Sequence, residues 1–96
     1  MITVNDVFDK LQQQYYSDYK IAPILGMSRA GVSRMRERNN MAPQIAFKIA
    51  HMLNTPVAKM LILSNILSTP ELSEPWLAMA EQLGFNMYDI DADIYR

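Results

Sequence analysis

Residues 21–35 read IAPILGMSRAGVSRM, and no other stretch restricts the fold as much. Two short helical patterns flank one glycine. Ile21, Ala22 and Leu25 share one face, and Gly26 follows them directly. Val32 and Met35 lie one turn apart beyond it. Two helices joined so closely cross at a steep angle, so the residue at their nearest approach must be small. Ala22 meets that demand. Gly26 meets another, a turn residue that accepts positive φ. The second helix is then anchored by Val32 and Met35 alone, and its N-terminal end and opposite face stay free.

The remaining chain reads as helices of ordinary length with clear punctuation. Val4, Val7, Phe8 and Leu11 predict a first helix over 4–15, capped by Thr3 or Asn5. Ser17 and Asp18 open the second, which Gly26 ends. Ser28 caps a third over 29–38, and Asn39–Asn40 supplies a loop. Pro43 begins a fourth helix, with Ile45, Ala46, Ile49, Ala50, Met52 and Leu53 as its core positions. Asn54–Thr55–Pro56 breaks it. A fifth, over 57–68, carries Val57, Met60, Leu61, Leu63, Ile66 and Leu67 on more than one face, which suits a central or interface helix. Thr69–Pro70 stops it, and a sixth runs over 74–83 until Gly84. The expected class is all-α.

With 96 residues, half of them hydrophobic, the chain can build one core but not two. It has no cysteine and one histidine, His51. Disulfides, thiolate zinc sites and multi-histidine metal sites are therefore excluded. No apolar run suggests a membrane span, and the first residues lack the pattern of a signal peptide. A reducing, intracellular setting is expected. There is no spare histidine for a serine or cysteine nucleophile and no phosphate-binding glycine loop, so neither catalysis nor a cofactor is expected.

The 21–35 segment and the residues after it resemble the lambda-repressor-like, Cro-type helix-turn-helix domain of phage and bacterial regulators. The resemblance runs ungapped from Ile21 to Leu61. It includes Ala22, Leu25, Gly26, Ser28, Val32, Ser33 and Met35, then Pro43, Ile49–Ala50, Leu53, Val57, Met60 and Leu61. It implies a five-helix DNA-binding domain whose helix over 28–38 enters the major groove. On that implication Ser28, Arg29, Ala30, Ser33 and Arg34 read base edges. Ser17, Arg36, Arg38, Asn39, Asn40 and Gln44 meet the backbone. A dimer on a pseudo-palindromic operator, repressing transcription in the bacterial cytoplasm, is the implied activity. Three positions depart from the family pattern. Asp18 stands where glutamine often meets phosphate, Pro23 lies inside the second helix and is expected to delay or kink its start, and Arg38 replaces a glycine. Asn39 or Asn40 then has to supply the turn.

Charge distribution agrees with a DNA-facing centre. The net charge is −1. Between Lys20 and Lys59, however, seven basic residues face only Glu37, a sum of +6, whereas residues 71–96 sum to −5. Arg29 and Arg34 suit bidentate bonds to guanine, while Arg36 and Arg38 suit phosphate. The plain alternative is a solvated arginine face paired with Glu37 and other acids.

Residues 1–68 are expected to form the DNA-binding domain and 69–96 an extension that supports dimerisation. Trp76, with Leu77, Met79, Ala80 and Leu83, anchors the sixth helix on the fifth or joins a subunit contact. Tyr15, Tyr16 and Tyr19 close the core or meet phosphate. In the tail, Ile90, Ala92 and Ile94 alternate with Asp89, Asp91 and Asp93, which reads equally as a strand or a frayed end. A calcium loop is rejected, since Ile94 stands where glycine is required. A different class of function, an interaction module such as the antitoxin of a toxin–antitoxin pair, would use that acidic tail to dock a basic partner.

Overall fold

The computed structural model describes residues 2–87. Six α-helices follow one another: α1 Val4–Tyr15, α2 Asp18–Leu25, α3 Arg29–Arg38, α4 Pro43–Leu53, α5 Val57–Ser68 and α6 Ser73–Gln82. A 3-10 turn, Pro70–Leu72, leads into α6. Among the described residues every regular element is helical, as the periodicity predicts. The candidate strand over 88–95 lies outside the described residues.

Local chemistry sets the helix ends. Thr3 caps α1 in a reciprocal box: its hydroxyl accepts from the Asp6 N–H at 3.2 Å, and the Asp6 carboxylate accepts from the Thr3 N–H at 2.8 Å. Ser17 and Ser28 cap α2 and α3 through their hydroxyls. Pro43 occupies the first turn of α4, where its missing N–H costs nothing. Gly26, Asn39 and Asn54 end α2, α3 and α4 in the left-handed region, at φ 70°, 52° and 56°. Asn39 is thus the residue that supplies the turn after α3.

Two expectations need correction. Pro23 does not delay α2, which begins at Asp18 immediately after its cap. Pro23 lies five residues further on, on the exposed side. Its ring removes the N–H that would otherwise bond the carbonyl of Tyr19, a residue that is itself exposed. Helix α6 begins and ends one residue early, at Ser73–Gln82, because the 3-10 turn feeds straight into it. Ser73 is already helical, and Leu72 precedes it without a side-chain cap.

The core gathers the expected apolar faces. Val4, Val7, Phe8 and Leu11 of α1, Ile21 of α2, Val32 of α3 and Ile49 of α4 are all fully buried. Ala22 of α2 is buried, at 2% exposure. Helix α5 lies between α4 and α6 and buries Met60, Ile62, Leu63 and Ile66. Lys59 is also buried, at 6% exposure, so one of the basic residues counted in the central segment does not reach the surface. Met41 in the α3–α4 loop, together with Ile2 and Met87, completes the same cluster. Residues 69–87 therefore close the one core, through Ala80 and Met87, and build no second one. Among the described residues no helix is long and apolar enough to cross a membrane.

Candidate nucleic-acid interface

Helix α3 is held by a narrow stripe. Val32 and Met35 are its only buried residues, and Gly31 and Arg36 are half-buried. At 3.6 residues per turn, the side opposite that stripe carries Ala30, Ser33, Arg34 and Glu37, and all four are exposed. Ser28 and Arg29 are exposed at the amino-terminal end, where the Ser28 hydroxyl accepts from the Gly31 N–H at 3.0 Å. The five residues expected to read bases are thus brought together on an open surface. Glu37 shares it.

The two flanks of α3 differ. On the side facing α1 and α2, Arg36 does not extend outward. Its Nη2 donates to Asp9 at 2.7 Å, its Nη1 to Asp18 at 2.9 Å and its Nε to Asn5 Oδ1 at 2.8 Å. The guanidinium also lies over the Phe8 ring, 5.8 Å from its centre. Asp18 is further engaged by Gln12 Nε2 at 3.0 Å. Sequence reasoning expected Arg36 to neutralise phosphate, whereas in the fold it pairs with two carboxylates from other helices. The +6 sum is therefore a property of the chain order and not of the surface, because α1 and α2 fold Asp9 and Asp18 back against it.

The other flank is open. Arg34 and Arg38 line a hollow of about 510 Å³ between α3, the start of α4 and the end of α5, together with Gly31, Met35, Ala42, Pro43 and Ile45. Neither arginine forms an ion pair among the described residues. Gln44 is exposed on the first turn of α4, whose preceding Ala42 provides no side-chain cap.

The two asparagines have structural partners. Asn39 Oδ1 accepts from the Val4 N–H at 2.8 Å, so the residue that ends α3 also caps α1. Asn40 Oδ1 accepts from the Ser68 hydroxyl at 2.6 Å and ties the α3–α4 loop to α5. Ser17 is half-buried as the α2 cap. Of the residues expected at the backbone, Arg38 and Gln44 are exposed without such ties, and Asn40 is exposed but bonded.

Two cations and two tyrosines, from the end of α1 and the starts of α2 and α3, lie beside one another. Tyr16 and Tyr19 are exposed, at 79% and 67%. Lys20 Nζ lies 5.0 Å from the Tyr16 ring centre, and the Arg29 guanidinium 5.6 Å from that of Tyr19. Tyr15 packs against the core instead. Lys48 of α4 donates to the Leu25 carbonyl at 3.1 Å, placing a cation at the C-terminal end of α2, where the helix dipole favours it. His51 is exposed and meets Phe47 edge-on at 4.7 Å.

Compared with known protein families, with curated proteins and with solved structures, the chain matches none.

Proposed function

We propose that this chain is a sequence-specific DNA-binding regulator. In this reading α2 and α3 form a helix-turn-helix, α3 is the groove-reading helix, and the five-helix arrangement is of the Cro-repressor type that the sequence resembles. One observation carries the proposal. Helix α3 is anchored only by Val32 and Met35 and presents Ser28, Arg29, Ala30, Ser33 and Arg34 on an open face, with Arg38 beside them. Arg34, exposed on that face beside the hollow, suits bidentate contact with guanine O6 and N7. Arg29, held near the Tyr19 ring, and Arg38, lining the hollow, suit either a base edge or the adjacent phosphates. Repression follows from covering a promoter.

A homodimer fits the same reading, because two copies of α3 about 34 Å apart would meet successive major grooves. Its seam is proposed at an apolar groove of about 290 Å³, lined by Ala58, Leu61 and Ile62 of α5, Trp76 and Met79 of α6, and Leu83 just after α6. Met79 and Leu83 are exposed at 45% and 53% in the single chain. Pro43 lines both this groove and the hollow beside α3, so a second copy seated here would adjoin the reading face.

The decisive experiment is selection of bound duplexes from random DNA, followed by a salt titration on the selected site. A shared half-site repeated with two-fold symmetry is expected. Affinity should fall steeply with salt, with a log–log slope of about −0.9 per phosphate contacted. No enrichment, and no binding at low salt, would overturn the reading and favour the interaction module, whose partner the groove and acidic tail would then engage.

A further inference from the structure

We propose that Arg36 serves the interface by cancelling the charge of Asp18, and not by touching phosphate. The inference rests on the duplex-DNA reading above. Asp18 begins α2, and its neighbours Tyr19 and Lys20 are exposed there. The same turn of α2 adjoins the reading end of α3, since the Arg29 guanidinium lies over the Tyr19 ring. A carboxylate at this edge stands within about one Debye length, roughly 8 Å, of any backbone that α3 and α2 approach together, and it would repel that backbone. Arg36 removes the repulsion from within the fold. Each of its three nitrogens already has a protein acceptor, and its side chain is 20% exposed. Both oxygens of Asp18 are engaged, one by Arg36 and one by Gln12. Arg36 is therefore a positioning and masking residue. It fixes the carboxyl-terminal half of α3 to α1 and α2, and it offsets one of the two carboxylate charges that meet it there.

Four proteins test this on one duplex selected by the wild type: wild type, Arg36→Met, Asp18→Asn and the double variant. Binding is followed by fluorescence anisotropy across a salt series, with thermal unfolding recorded in parallel. Arg36→Met should weaken binding about tenfold. The double variant should recover most of that loss, because the carboxylate Arg36 was masking is gone, and its salt slope should equal that of wild type. A purely structural role predicts lowered unfolding temperatures in both Arg36 variants with no recovery of affinity in the double variant. A direct phosphate contact predicts a persistent loss with the salt slope reduced by about one. Either result overturns the proposal. Should Arg36→Met fail to fold, Arg36→Gln keeps a donor for Asn5 or Asp9 and is compared with Asp18→Asn/Arg36→Gln in the same way. If wild type binds no duplex, the functional reading falls and this inference with it. If wild type binds and no variant pair shows recovery, only this inference falls.

Discussion

Helices α3 and α5 have ten and twelve residues, and they meet opposite demands. Helix α5 buries Lys59, Met60, Ile62, Leu63, Ser64 and Ile66, positions that take up about half its circumference, as befits a helix packed between two others. Helix α3 buries only Val32 and Met35. It has no acid in its first turn and carries Arg36 and Arg38 in its last, where cations complement the helix dipole. The contrast separates two kinds of free energy in one small domain. Of the two, α5 puts far more of its side chains into the core, while α3 and its open flank carry the exposed arginines. Substitutions in α5 should therefore act on folding, and those on the outer face of α3 on binding.

The largest expected effect is on the folding side. Leu63→Ala removes a fully buried side chain from the centre of α5 and should cost about 2–5 kcal/mol of stability, read by denaturant or thermal unfolding. The DNA affinity of the fraction that remains folded should be unchanged, and a change in base preference would break the division. Arg34→Ala comes next. It should cost about 1–3 kcal/mol on the preferred duplex and relax selection at one base position, seen by repeating the random-DNA selection. Its stability should stay within about 0.5 kcal/mol of wild type, as for other exposed positions without partners. Stability lost at Arg34 on the scale of Leu63 would erase the contrast. Arg38→Ala should weaken all duplexes about equally and reduce the salt slope by about one. The smallest effect is expected from Glu37→Gln. Removing the one carboxylate on the outer face should tighten every duplex by about twofold, since a like charge beside phosphate is weakly unfavourable at physiological salt.

The legibility of each feature in the sequence depends on range. Helix spans were readable because their signals are local. Thr3, Ser17 and Ser28 cap the residues that come after them within one turn, and Gly26 and Asn39 end helices by their own φ. The buried stripes of α1 and α2 were readable for the same reason, as periodicity needs only a dozen neighbours. The exposure of Ser28, Arg29, Ala30, Ser33 and Arg34 followed from the short anchoring stripe of α3. Partnerships across the fold were not readable. Arg36 reaches acceptors 18, 27 and 31 positions away, Asn39 caps a helix 35 positions before it, and Lys48 reaches back 23. A weak signal was present, since Asn5 and Asp9 are four apart and so share a face of α1. Nothing local pairs that face with α3. Met41 was missed for a related reason: it lies in a loop, where periodicity has no meaning, and it is fully buried.

The double duty of Asn39 has a kinetic consequence. Its backbone closes α3 and its side-chain oxygen holds the first amide of α1. Opening at either place releases the other, so the two ends form one unit of local unfolding. The amide hydrogens of Val4 and of the last turn of α3 should then exchange with solvent at a common opening free energy. The start of the chain becomes an internal probe of how tightly the arginine-bearing helix is latched, readable without any ligand present.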